Sequence, residues 1–242
     1  MTTLLLVHAF PVDASMWEDD VQALRADADV LAPSLPGFGG TPGVGDVLTM
    51  DAAADFLAGE LDRAGAERAV VCGLSMGGYA AFSLWRRHRG RIAGLILADT
   101  RAEPDDDAGR ERRRAVAEKA RAEGSGAIAE APPPLLSEAA DPALWDRVKE
   151  AIRRQPGEAI AAASLGIGER PDSRPILPEI DVPTLVVVGS DDTLTPPVMS
   201  ETMTAAIPGA DLAVIQGAGH LSNLEAPREF RATVRDLLRR VG

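Results

Sequence analysis

The sequence predicts a doubly wound α/β fold with a mostly parallel sheet, and three observations carry that prediction. Six short runs are continuously apolar rather than alternating: LLLVH at 4–8, DVLAP at 29–33, AVVCG at 69–73, IAGLILAD at 92–99, TLVVVG at 184–189 and DLAVI at 211–215. Continuous apolarity marks parallel strands buried on both faces. Helical stretches separate the runs, the rhythm of βαβ units. Gly- and Pro-rich turns such as PGFGGTPG at 36–43 punctuate the pattern.

The helices follow in order. Asp13 is a candidate N-cap for a helix over 15–26, with Met16, Val21 and Leu24 on its apolar face. Thr49 caps a helix over 50–64 that Gly65 stops. A helix over 76–89 is closed by Gly90, and the last helix starts at Pro227 and runs to 240. Between 100 and 183 no strand pattern occurs. A charge-rich helix over 110–123, three prolines at 132–134, a helix opened by Asp141 and Pro142, and an Ala-rich helix over 158–165 fill this stretch. So long a structureless loop is improbable inside a compact domain, so the stretch predicts a helical insert. The ERRR run at 111–114 is flanked by acids and is expected to form a solvated helix face.

The chain has 242 residues, enough for one core with an insert, and ordinary apolar content. With 25 Lys+Arg against 37 Asp+Glu, its charge is −12. That balance argues against nucleic acid and anionic membrane surfaces as partners. A single cysteine, Cys72, excludes an internal disulfide and any Cys-rich metal site, and it is expected to be a small buried hydrophobe. No apolar run reaches the ~18–20 residues of a membrane span. The N-terminus lacks a basic region and a small-residue cleavage site, so the cytoplasm is the expected compartment. Lys119 and Lys149 are the only lysines, a usage that fits a GC-rich bacterial genome.

The chemistry centres on GLSMG at 73–77, which fits G-x-S-x-G. It follows a β-branched strand and opens a helix, the setting in which a serine is exposed on a sharp turn. Small flanking residues are needed there, because strand and helix approach closely. A serine nucleophile needs a base. Of the three histidines, His88 lies among arginines on a helix and is expected at the surface. His8 and His220 both sit beyond strand ends, where sites of α/β folds gather. His220 completes the chain order serine–acid–histidine, while His8 lies in HAFP, whose following amides can help form an oxyanion hole. Candidate acids are Asp191 and Asp192 in GSDDTLTPP, with Asp99 as a rival at another strand end. At least one of the adjacent pair is expected to be a turn aspartate.

The stretches VHAFPVDASMW, LPGFGGTP, GLSMGGYA, GSDDTLTPP and GAGHLSNLEAP, in this order, resemble the α/β-hydrolase fold family. The resemblance is to its compact serine esterase and 3-oxoadipate enol-lactonase-like branch. It implies a core over 1–100 and 184–242, a helical cap over 101–183, and a sheet of about six strands without the family's usual first two. It places a nucleophile on Ser75, an acid on Asp192, a base on His220, and oxyanion donors on the backbone N–H groups of Phe10 and Met76. His8-Ala9 departs from the family's usual His-Gly. The implied substrate is a small ester or lactone, with no cofactor or metal. The same residues would also serve a cofactor-free haloperoxidase or perhydrolase, or a ligand receptor on the same scaffold. Phe38, Trp145, Met199 and Leu221 are expected substrate contacts, and Arg101, Arg112 or Arg170 would anchor an anionic substrate. Monomer and homodimer remain open.

Overall fold

A computed structural model describes the whole chain, residues 1–242. Six strands form one sheet in the order β2-β1-β3-β4-β5-β6, every neighbouring pair parallel. They are β1 (Thr3–Val7), β2 (Asp29–Leu31), β3 (Ala69–Leu74), β4 (Ile92–Ala98), β5 (Thr184–Gly189) and β6 (Asp211–Ile215). All residues of β3 and β5 are buried, whereas the edge strands β2 and β6 are partly exposed. The central strands bury both faces and therefore read as unbroken apolar runs. Each fully buried Leu or Val there stabilises the fold by about 1.5–3 kcal/mol relative to exposure.

The helices of the body are α1 (Glu18–Leu24), α2 (Met50–Arg63), α3 (Met76–His88), α7 (Pro197–Ala206), α8 (Ser222–Glu225) and α9 (Pro227–Val241). The strand order reverses at β1, so right-handed crossovers put α1 on one face and α2 and α3 on the other. α2 packs on α3, and α1 packs on α9. Phe230, Val234, Leu237 and Leu238 form the buried stripe of α9, at helical spacing. The Asp20 carboxylate accepts from Arg231 at 2.7 Å and fastens α1 to α9.

Asp13 caps a 3-10 turn, Ala14–Trp17, before the shorter α1, instead of opening one long helix. Its side chain accepts from the Ser15 N–H, only two residues on. That tightens the first turn to 3-10 geometry.

Between β4 and β5 the chain forms α4 (Asp107–Glu130), α5 (Pro142–Arg153), α6 (Gly157–Gly168) and a 3-10 turn, Arg174–Glu179. α4 starts earlier and ends later than the charge pattern predicts. Asp106 caps it, and it continues beyond Gly124, where φ of +79° kinks it. α4 and α6 meet through alanines and glycine: a Cβ at Gly157 would lie 2.3 Å from the Ala120 carbonyl. Ala117, Ala120, Ile160 and Ile167 join the same apolar core as the sheet. No helix is long and apolar enough to cross a membrane.

Candidate active site

Ser75 occupies the turn between β3 and α3 with φ +56° and ψ −112°, a strained conformation for a non-glycine residue. Its N–H donates to the Ala98 carbonyl at 2.9 Å, and its carbonyl accepts from Thr100 Oγ1 at 2.8 Å. The end of β4 thus holds the turn in shape. The flanking glycines are required by contact: a Cβ on Gly73 would lie 2.2 Å from the Gly77 carbonyl oxygen, and one on Gly77 would lie 2.2 Å from that of Val7.

Sheet topology brings two loops to this turn. Ser75 Oγ lies 2.7 Å from His220 Nε2, and His220 Nδ1 lies 2.8 Å from Asp192 Oδ2. With Nδ1–H donating to Asp192, Nε2 is free to accept from the serine hydroxyl. Asp192 is fixed in turn by the N–H groups of Leu194 and Thr195 at 2.8 and 3.0 Å and by the Thr195 hydroxyl at 2.6 Å. Burial works to raise the Asp192 carboxyl, but its bonds to His220 and Thr195 outweigh that and hold it below its ordinary range. Asp191 is exposed and accepts from the Ser190 hydroxyl at 2.7 Å, a turn role.

Asp99 does not touch His220 in this chain of bonds. It follows β4 with φ +44°, accepts the Gly189 N–H at 2.8 Å and the Ser222 hydroxyl at 2.5 Å, and is fully buried. It thereby ties the start of the Asp192 loop to the segment after His220. Burial pushes its carboxyl up to about 7.

His8 is a structural residue. Its Nδ1 donates to the Ala9 carbonyl and its Nε2 accepts the Leu35 N–H, both at 2.9 Å. Burial lowers its pKa to about 4, so it is neutral near pH 7 and locks the loop that carries Phe10. The Phe10 N–H has no partner within the protein. Met76 is the first residue of α3, where an N–H has no intrahelical acceptor. His88 pairs with Asp55 at 2.7 Å on the surface. Cys72 is buried in β3, and burial drives its thiol well up.

Ser75 and His220 open into a cavity of about 270 Å³. Its apolar walls are Phe10, Val116, Leu135, Ile167 and Leu194, and its polar ones include Tyr79, Thr195, Arg101, Arg112 and Arg113. None of the four expected substrate contacts lines it. Phe38 is buried with its ring edge-on to His8, 5.3 Å away. Leu221 is buried, its N–H bonded to the Leu135 carbonyl at 2.9 Å. Trp145 lies on α5 and Met199 on α7, and neither belongs to the cavity wall. An apolar side chain near a strand end serves a core as readily as a pocket wall, so its type alone did not separate the two.

Two groups had no sequence signal. Glu225 accepts the Gly219 N–H at 2.7 Å and both the N–H and hydroxyl of Ser137, fastening the His220 loop to the helical segment. Asp105 is buried on that segment and accepts from Arg101, Arg113 and Arg170. Burial alone would raise its carboxyl, but Arg170 and Arg113 hold it at about 2. No three His, Cys, Asp or Glu side chains are grouped to hold a metal ion.

Comparison with known proteins agrees with this architecture. The family model described as the alpha/beta hydrolase family matches residues 4–233. A thermophilic esterase from Thermogutta terrifontis, solved with malate bound, is 43% identical with a TM-score of 0.96, over 100% of this chain and 90% of that one. The enol-lactonase from Burkholderia xenovorans is 30% identical with a TM-score of 0.90, over 98% and 91%. A pimeloyl-(acyl-carrier protein) methyl ester esterase from Aromatoleum aromaticum is 29% identical over 98% of both chains. By this match over nearly its whole length, the chain belongs to the alpha/beta hydrolase family.

Proposed function

We propose that the protein hydrolyses a carboxylic ester or lactone through an acyl-enzyme on Ser75. The observation that carries this reading is the unbroken hydrogen-bonded chain Ser75–His220–Asp192 opening into a cavity. Ser75 Oγ attacks the carbonyl carbon as His220 Nε2 takes its proton. Asp192 holds the imidazole in the Nδ1–H tautomer and stabilises its cation. The free N–H groups of Phe10 and Met76 receive the developing oxyanion. The tetrahedral adduct collapses as His220 gives its proton to the leaving alkoxide oxygen. Water, deprotonated by His220, then attacks the acyl carbon and releases the acid. In a lactone both products are one molecule.

The helical segment over 101–183 acts as the cap, closing the cavity opposite the strand ends with Val116 and Leu135. Relatives named as esterases and an enol-lactonase support the same bond class. The test is hydrolysis of p-nitrophenyl acetate and butyrate by the wild type and by Ser75→Ala. Turnover in the wild type with loss in the variant is expected. Equal turnover by both would overturn the reading.

A further inference from the structure

The cap side of the cavity carries a charge that its surroundings do not balance. The chain has a net charge of −12, yet Arg101, Arg112 and Arg113 line this cavity and Asp105 is its only carboxylate. A fourth guanidinium, that of Arg170, lies behind the wall, 4.3 Å over the Tyr79 ring. Asp105 accepts from Arg101 at 2.5 Å, Arg170 at 2.9 Å and Arg113 at 3.1 Å. One carboxylate among three guanidiniums leaves an excess of positive charge. The buried Nε atoms of Arg101 and Arg170 have no partner, and Arg112 has no ion pair. The Asp105 cluster accounts for Arg101, Arg113 and Arg170. It does not account for Arg112 facing the same space, where a site for neutral esters would be apolar.

We propose that this wall is a carboxylate subsite: Arg112, with Arg101, binds an anionic group on the acyl half of the substrate. The inference rests on the ester-hydrolase reading and deepens it. The acyl side follows from placement. Arg113 lies 6.0 Å over the Phe10 ring and Arg170 over Tyr79, so the cationic wall borders the oxyanion loop. His220, which protonates the leaving group, lies instead beside Thr195, 3.3 Å away, and next to Leu221, whose N–H bonds the Leu135 carbonyl. The cavity of about 270 Å³ suits a short chain, such as the half-ester of a small dicarboxylic acid.

The experiment compares mono-p-nitrophenyl glutarate with p-nitrophenyl valerate, which puts a methyl group where the glutarate has its carboxylate. The wild type is expected to favour the charged ester by about tenfold or more in kcat/KM, the worth of one charged hydrogen bond. That ratio is expected to fall about tenfold in Arg112→Ala and to invert in Arg112→Glu. Arg112 is exposed, so both variants should fold. Equal or better cleavage of valerate by the wild type, or a ratio indifferent to Arg112, would overturn the subsite. Titration of glutarate into Ser75→Ala, with and without Arg112→Glu, separates the two readings. Arg112-dependent binding without cleavage of either ester defeats the hydrolase reading and leaves the subsite standing. Cleavage of both esters without preference or glutarate binding does the reverse.

Discussion

Ser75 and His220, with Asp192 buried behind them, stand in one part of the cavity wall, and Arg101, Arg112 and Arg113 form another. The first wall is built from strand ends. Backbone N–H groups fix Asp192, the Ala98 carbonyl fixes Ser75, and Gly73 and Gly77 admit no larger side chain. The second wall is built from long side chains gathered on one carboxylate, Asp105. Main-chain contacts of the sheet leave little freedom, so geometry accurate enough for proton transfer belongs there. Long guanidinium side chains can be regrouped by single substitutions, so selectivity is the property that wall can vary with the strand-end contacts left in place.

Breaking the first wall should have the largest effect. Ser75→Ala or His220→Ala is expected to lower kcat by about 10⁴–10⁶, and the double variant to be no worse than either single one. Steady-state kinetics on p-nitrophenyl butyrate decides this, and additive losses would mean that the two side chains do not act as a unit. Gly77→Ala follows. Its Cβ would meet the Val7 carbonyl, which cannot move without breaking β1 from the turn. Poor yield of folded protein or a markedly lowered Tm is expected, with a cost above the ~1–3 kcal/mol of ordinary overpacking.

Breaking the second wall should separate stability from chemistry. Asp105→Ala leaves Arg113 and the buried Arg170 without their carboxylate and is expected to cost about 3–5 kcal/mol, the range for one partner lost from a buried pair. Thermal unfolding should show a lowered Tm, whereas the folded fraction should keep its turnover of neutral esters to within about tenfold. A loss as deep as that of Ser75→Ala would mean that the cap wall positions the reacting atoms.

Asp99 joins the loops of the first wall and gives a pH-dependent test. Its folded pKa, about 7, lies above the ordinary value of 3.8. Below pH ~4 both folded and unfolded forms are protonated and its burial costs nothing electrostatic. Between pH ~4 and 7 the unfolded chain has released this proton while the fold still holds it, so the stabilising contribution is lost across that range and is gone above 7. Asp99→Asn is therefore expected to gain Tm relative to the wild type as pH rises from ~4 to 7, and to hold that gain above 7. A difference flat with pH would show that Asp99 is already ionised in the fold at pH 5. The smallest effect belongs to Cys72→Ser, in which a hydroxyl replaces the buried thiol. A loss of about 1–3 kcal/mol is expected from an unsatisfied hydroxyl, with kcat nearly unchanged.

Legibility in the sequence followed the same division. β1, β3, β4 and β5 could be read because strands buried on both faces have no polar alternation to hide them. Ser75 could be read because the turn needs Gly73 and Gly77 within two residues of it, so its constraint is local. α1 and α4 were read with the wrong limits, because the Asp13 cap closes a 3-10 turn and the Asp106 cap and Gly124 kink extend α4. Glu225 and Asp105 carried no pattern, since nothing in the run of residues tells one acid beside arginines or loop N–H groups from another until Ser137 and Arg170 are folded against them.

The sequence by itself determined the order of the strands and of the helices other than α7 and α8, the elbow at Ser75, and a choice of bases and acids confined to strand ends. Only the tertiary structure decided that Asp192 rather than Asp191 or Asp99 faces His220, that His8 braces a loop, and that Phe38 and Leu221 belong to the core. It alone gathered Arg101, Arg113 and Arg170 on Asp105, across 69 positions of the chain between Arg101 and Arg170. The physical reason is range. Periodicity, caps and tight turns act within a few residues, whereas the direction a side chain faces and the charge it meets depend on which distant segments the sheet brings together.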